Sequence, residues 1–346
     1  MKRTILALTT AFCLMGIIAA NASHTAYYDS PNDNVRNFWN DGRANYYNNY
    51  PLYGDVESVV VEFYNVRDNQ DELFVVDSLS FGKHGGVERS RCYTFNQEVD
   101  DQMDYNGLSY EVVVEYDERG GMTKYQSYDY GSLRDSMVIV HDYDNNRDVS
   151  TMYNFDGKEI YTNIEVYGEK GKKILDEVVY PSGTVNRELV EVIDGVEHIF
   201  YITNGHVVRH VFIETTYVGD STIKIKHSKD CCSSQFTIYN SKGNVVEDYE
   251  MNASYTNYFS TKYKYDHMDR VVRIAYADND GSFSTELYRY DDAGNMVCSM
   301  TLNGDGNVCN LVELTYDDRG NVVQYIEYDS THSQTNKAIF HITYRD

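Results

Sequence analysis

His206 and His210 stand four residues apart, with His198 a little upstream. On a helix that spacing would put two imidazoles on one face, ready to share a metal ion. The neighbouring residues favour a strand, and on a strand the same two rings lie about 13 Å apart at ~3.3 Å per residue. One ion cannot bridge that distance, so surface or partly packed histidines are expected. Glu111 with Glu115, and Glu247 with Asp248 and Glu250, offer carboxylates for acid/base chemistry. A glycosidase holds such a pair ~5–10 Å apart. With 54 acidic residues in 346, pairs of this kind arise from abundance alone. Solvated strand faces account for them as well, and charged edges deter strand-to-strand aggregation. Asp278-Asn279-Asp280-Gly281 and Asn303-Gly304-Asp305-Gly306 resemble parts of a calcium loop. Counted from Asp278, however, the twelfth position is Arg289, where an EF-hand requires a carboxylate. The chain has no HExxH, GxSxG, GxxxxGK[ST] or strand-borne GxGxxG motif. No catalytic residue, cofactor or metal site is therefore assigned.

The elements that would carry these residues are strands. Tyrosine is abundant, with 34 Tyr against 13 Phe and one Trp, and 23 Gly outnumber three Pro. Tyr, Val, Ile and Thr favour strands, while Gly, Asn and Asp favour turns. One phrase, Tyr-(Asp/Asn)-x-x-Gly-(Asn/x)-x-Val, recurs. Its clear copies begin at Tyr116, Tyr201, Tyr239, Tyr265, Tyr290 and Tyr316, and weaker ones at Tyr143, Tyr153 and Tyr167. The last four clear copies are spaced 26, 25 and 26 residues apart. Asp suits the first position of a type I turn, and Gly the fourth, where a left-handed residue closes a bulged hairpin. Asp117 with Gly120, Asp266 in the Tyr265 copy, Asp291 with Gly294, and Asp317 with Gly320 take these places, as does Gly243 after Tyr239. A second turn, Asn303–Gly306, follows half a repeat later. Each repeat is then two strands and two turns, and stacked units of this length bury apolar surface together. Met296, Cys298, Met300 and Leu302 alternate onto one face and form a candidate core, whereas Tyr325 and Tyr328 fall on opposite faces.

The Tyr-Asp-x-x-Gly-Asn phrase with its second Gly turn resembles the YD repeats of RHS-type proteins, most clearly over residues 239–328 and recognisably from Tyr116. The resemblance implies an all-β, antiparallel meander of stacked hairpin repeats in one long twisted or spiralling sheet. It also implies a secreted, periplasmic or bacterial cell-surface setting. Spacing becomes irregular over residues 167–239, and no separate toxin-like domain follows the repeats.

Flanking segments complete the organisation. Residues 1–22 read as a signal peptide: Lys2 and Arg3, an apolar run from Ile5 to Ala20, then Ala20-Asn21-Ala22, with cleavage between Ala22 and Ser23. No other apolar stretch is long enough for a spanning helix. Residues 23–54 form an irregular arm in which Tyr46, Tyr47 and Tyr50 either contact a ligand or pack on a sheet edge. Residues 55–346 are the β-domain. Its first two strands, about the polar turn at residues 67–71, are expected to cap the repeats. The formal charge is −24, and loss of Lys2 and Arg3 makes it more negative. That field opposes nucleic-acid binding. Cys92, Cys231, Cys232, Cys298 and Cys309 lie beyond the signal, an odd number without metal-ligand spacing. The sequence expectation is an exported, non-catalytic scaffold or binding module with a glycan or protein partner. Off-repeat tyrosines Tyr255, Tyr258 and Tyr263 are free for contacts. The rival readings are an acid/base glycan hydrolase and a remnant or partner of an RHS-type toxin system.

Overall fold

The computed structural model describes residue 52 and residues 54–67, 70–99, 103–228, 233–252, 257–278 and 281–345. The signal segment with Ala22 and Ser23, the arm with Tyr46, Tyr47 and Tyr50, the Cys231-Cys232 pair and Tyr255 lie outside them, as does the side chain of Tyr258. The described chain is all-β and antiparallel, its strands belonging to one 22-stranded sheet. No helix among the described residues is long and apolar enough to cross a membrane.

The chain divides into two compact units. The first holds the described residues through Lys172 together with Leu314–Ile326 and those from Gln334 onward. Its strands are β1 (Val56–Arg67), β2 (Gln70–Phe81), β3 (Val87–Val99), β4 (Met103–Tyr116), β5 (Met122–Asp129), β6 (Ser132–Asp142), β7 (Arg147–Asn154) and β8 (Glu159–Tyr167). The second unit holds residues 173–313 and 327–333. Its strands are β9 (Lys173–Val179), β10 (Val185–Ile193), β11 (Val196–Thr203), β12 (His206–Val218), β13 (Ser221–Ser228), β14 (Ser233–Tyr239), β15 (Val245–Asn252), β16 (Asn257–Tyr265), β17 (Val271–Asp278), β18 (Phe283–Tyr290), β19 (Met296–Leu302) and most of β20 (Val308–Tyr316). β21 (Val322–Asp329) is divided between the units, and β22 (Gln334–Tyr344) belongs to the first.

One turn design recurs. The N–H of the first residue donates to the carbonyl four residues on, and the N–H of the fourth donates back to the first carbonyl. It occurs at Gly82, Asp117, Asn154, Tyr180, Asn240, Asp266, Asp278, Asp291, Asn303, Asp317 and Asp329. The side chain of the first residue supports it. Asp117 Oδ1 accepts from the N–H of Arg119 and Gly121, and Asp317 Oδ1 from those of Arg319 and Asn321. The fourth residue is left-handed: Gly120 at φ 85°, Gly243 at 85°, Gly294 at 95° and Gly320 at 87°. Asp269 and His332 occupy the same place at φ 60° and 61°. An L-residue there costs roughly 1–2 kcal/mol because its Cβ crowds the following carbonyl. Gly294→Ala is expected to lower stability by about that amount and Asp269→Gly to raise it. Urea denaturation checks both, and equal midpoints for all three proteins would refute the turn assignment.

The phrase at two positions folds differently. In the Tyr201 copy the reversal is a two-residue turn, Asn204–Gly205, both left-handed, so Thr203 pairs with His206. In the Tyr143 copy the tyrosine sits inside a four-residue loop between Asp142 and Arg147. Both lack the Asp-to-Gly geometry because the strand end is displaced from the phrase's first residue: β11 runs on to Thr203, two residues past Tyr201, whereas β6 stops at Asp142, one residue before Tyr143.

The expected long twisted or spiralling sheet requires correction. β22 pairs antiparallel with β1 from Val56↔Tyr344 to Asn65↔Asn336. β1 and β2 do pair about residues 67–70, but as a join to the C-terminal strand rather than as a cap. The physical reason is alternation: Val59, Val61 and Phe63 are buried on β1, Leu79 and Phe81 on β2, and Ala338 and Phe340 on β22. An unpaired β1 would expose that face and a row of backbone donors. A neighbouring cluster buries Tyr110, Val112 and Val114 with Met122, Tyr125, Met137 and Ile139. In the second unit the described buried apolar side chains are few: Val211, Cys298 and Val312. On the expected core face of β19, Cys298 is buried and Met296, Met300 and Leu302 are half-buried. Tyr325 is buried, while Tyr328 donates to Glu313 Oε2 at 3.1 Å.

Candidate functional site

The repeat residues do structural work. Tyr116 O–H donates to Val87 O at 2.9 Å, Tyr265 to Val245 O at 2.6 Å and Tyr290 to Val271 O at 2.7 Å. Each acceptor is the first strand residue beyond the preceding turn at the same end of the sheet. The phrase therefore ties one repeat to the one before it. A variant replaces that carbonyl with a carboxylate. Tyr143 O–H donates to Asp117 Oδ2 at 2.6 Å, and Tyr344 O–H to Asp317 Oδ2. Arg119 lies 4.5 Å over the Tyr143 ring, and Arg319 lies 3.7 Å over that of Tyr344. Desolvation pushes Asp117 upward, but bonds from Tyr143, Gly121 and Arg119 outweigh it and hold its carboxyl below the usual range. Tyr239 carries Lys224 Nζ 5.3 Å over its ring, and Tyr316 ends β20 just before the Asp317 turn.

The carboxylates singled out in the sequence are engaged separately. Glu111 accepts from Arg91 Nε at 2.7 Å, and Glu115 from Lys124 Nζ at 2.8 Å. Glu247 pairs with Lys262 at 3.1 Å, while Asp248 meets Gln235 on the opposite face of β15. Asn303 Oδ1 accepts from the N–H of Asp305 and Asn307, so turn formation already uses that oxygen. One recess of the first unit, of about 730 Å³, is lined by His84, Glu88, Arg89, Glu115, Asp117 and Arg345. Arg345 is held in that lining by donating to Asp55 Oδ1 at 2.7 Å and to the carbonyl of Phe81.

The irregular stretch of the sequence gives the second unit its most distinctive surface. His198 Nδ1 lies 2.8 Å from His210 Nε2, across the β11–β12 pair. One ring must donate and the other accept, so the contact requires one neutral imidazole. Phe200 stacks on His210 at 4.4 Å, Phe212 on His227 at 4.7 Å, and Phe236 on Tyr249 at 4.8 Å. These rings share one sheet face, and their flat sides are used on one another. His206 is exposed at the β11–β12 turn and takes no part. Sequence spacing compared His206 with His210; the true partner, His198, required the Asn204–Gly205 turn and the bulge at Tyr201/Ile202. The Asn-Gly dipeptide was the signal that could have supplied this register.

Beyond the ladder, β12 runs past its neighbour. Glu197↔Ile213 is the outermost pair recorded with β11, whereas pairing with β13 continues to Val218↔Ser221. Thr215–Val218 are thus paired on one side among the described residues. All of residues 214–220 are exposed. Tyr217 is 76% exposed and Val218 57%, and Val192 at the adjoining end of β10 is 70% exposed. Sequence reasoning did not find this edge, because strand overhang depends on the lengths of three strands together.

No protein-family model matches the chain, and no curated protein matches it. Similar solved structures include a crystal structure of TcdB2-TccC3-Cdc42, 11% identical over 83% of this chain and 21% of that chain, with a TM-score of 0.25. They also include porin-like proteins from two Bacteroides species. The one from Bacteroides uniformis ATCC 8492 is 8% identical over 83% of this chain and 98% of that one, at a TM-score of 0.30. The one from Bacteroides vulgatus ATCC 8482 is 10% identical over 82% and 97%, at 0.24. The chain spans about a fifth of the length of the TcdB2-TccC3 chain. At these scores the likenesses assign neither a family nor an activity.

Proposed function

We propose that the protein is an exported, non-catalytic binding module of YD-repeat type, and that it takes an extended segment of a partner protein along the open edge of β12. The overhang of Thr215–Val218 carries this reading. An unpaired strand edge offers alternating N–H and C=O groups, and an added strand satisfies them while side-chain contacts give specificity. Tyr217 supplies the flat apolar body with a polar tip that suits a protein contact. Glu191, Asp194, Glu214 and Asp220 surround the edge and are exposed, which favours a segment carrying Lys or Arg. The edge carries none of the Lys or Pro residues that usually protect one.

The test uses a synthetic peptide alternating Lys and Val, with Pro at alternate positions in the control. Fluorescence anisotropy is expected to show saturable binding of the first alone, weakened about tenfold by Tyr217→Lys, which places a like charge on the edge. Equal binding of both peptides would sink the edge reading. The hydrolase reading places its acid and base in the recess lined by Glu88 and Glu115. Glycan turnover abolished by Glu88→Gln would replace the binding module with an enzyme.

A further inference from the structure

A second recess, of about 310 Å³, opens within the second unit between Arg273 on β17, Phe283, Thr285 and Leu287 on β18, Leu302 on β19 and the Asn303–Gly306 turn. Its polar group is out of keeping with its surroundings. Arg273 lies directly opposite Lys264 on one side and Leu287 on the other. Like charges directly opposite one another destabilise an antiparallel pair. Among the described residues Arg273 Nε is buried with no hydrogen-bond partner, and its Nη2 reaches Thr285 Oγ1 only at 3.5 Å. Acids on the same face are committed elsewhere: Glu247 to Lys262, and Glu313 to Tyr328. In a chain with 54 acidic and 30 basic residues, an arginine that meets no acid among the described residues is a departure from its own composition. A buried guanidinium N–H left unpaired keeps its full desolvation cost, and a carboxylate supplies the missing acceptors in fork geometry.

The rest of the recess selects among anions. Gly304 and Gly306 line the recess without side chains beside the guanidinium's strand. Phe283, Leu287 and Leu302 then present an apolar wall. The volume lies at the small end of the roughly 300–1,000 Å³ that ligand sites occupy. We propose that this recess binds a small organic carboxylate, its head on Arg273 and its aliphatic chain along Phe283, Leu287 and Leu302. The site is independent of the β12 edge.

Titration calorimetry of the full chain tests it with octanoate as the probe, beside octanol and inorganic phosphate. Octanoate is expected to bind saturably at one site, and octanol and phosphate at least tenfold more weakly. Arg273→Gln should weaken octanoate by roughly tenfold or more. Arg273→Lys, which keeps the charge but loses the fork, should fall between. Arg289→Gln, an exposed cation on the same face, should change it less than twofold. Octanol binding as well as octanoate, or octanoate affinity unmoved by Arg273→Lys and Arg273→Gln, would overturn the carboxylate assignment. Phosphate binding as tightly as octanoate would overturn the role of the apolar wall. The comparison of octanoate with octanol needs no variant, so it stands even if Arg273→Gln unfolds.

Discussion

Asp148→Asn is expected to cost about 3–5 kcal/mol of folding free energy, the size found when one partner of a buried ion pair is removed. His141 and Asp148 face each other across β6 and β7, with both side chains only 3% exposed. His141 Nδ1 lies 2.8 Å from Asp148 Oδ1, and Nε2 lies 2.9 Å from the carbonyl of Met122. A carbonyl only accepts, so Nε2 carries a proton. An ionised carboxylate only accepts, so Nδ1 carries one too. The ring is therefore held as an imidazolium, with Tyr143 stacked at 5.3 Å. The neutral amide of Asp148→Asn would leave that cation without its counter-charge in a buried site. Desolvation lowers the pKa of His141, but the bond and charge of Asp148 outweigh it, and the pKa is raised. The sign follows. A raised folded value means that the pair's contribution is complete below the unfolded pKa of about 6.5 and is lost as pH rises through the folded value. Wild type should therefore lose stability over that interval, and Asp148→Asn should lose less. Urea midpoints measured from pH 5 to 9 decide it; parallel curves for the two proteins would refute the imidazolium.

That cluster shows which parts of the molecule could be read in advance. The turns were legible because Asp, Asn and Gly each answer a local backbone demand: Asp317 must accept two N–H groups, and Gly320 must be left-handed. The alternation of Val59, Val61 and Phe63 was legible for the same reason, since a strand writes its faces with period two. The partner of that face was not. β22 reaches β1 across nearly the whole chain, and no local signal records such a pairing. The role of the repeat tyrosines was not legible: Tyr265 and Tyr290 reach back to the carbonyl beyond the previous turn. That contact depends on where two repeats end in space. His198, His141 and Arg273 look like ordinary strand residues until the register sets what stands across from each. Asp77 belongs with them. In the sequence it is one acid among 54, whereas register places it opposite Cys92.

Asp77→Asn should stabilise the protein at neutral pH by roughly 3 kcal/mol, the opposite direction from most substitutions. Asp77 lies among apolar neighbours on β2, between Val75 and Leu79 on the same face and opposite Val61 of β1. Its Oδ1 is sealed from solvent without a hydrogen-bond partner. Burial raises its pKa to about 6, and a hydrogen bond with Cys92 offsets only part of that rise. The thiol is correspondingly difficult to ionise, held up first by burial and then by the adjacent carboxylate. Because the folded value lies above the unfolded one, the protonated acid is favoured by the fold. Stability is complete below the unfolded pKa near 4 and falls as pH rises toward 6. Two pKa units at about 1.4 kcal/mol each give the size of the loss. Asn is neutral throughout, so its curve should be flat between pH 4 and 6 and lie above wild type beyond it. This window sits below that of His141, and the two effects separate in one pH series. The double variant with Asp148→Asn should show the two changes adding, since Asp77 and Asp148 lie on strands that do not pair. A wild-type curve already flat from pH 4 to 6 would mean that Asp77 reaches water, and its unpaired oxygen would then need no account.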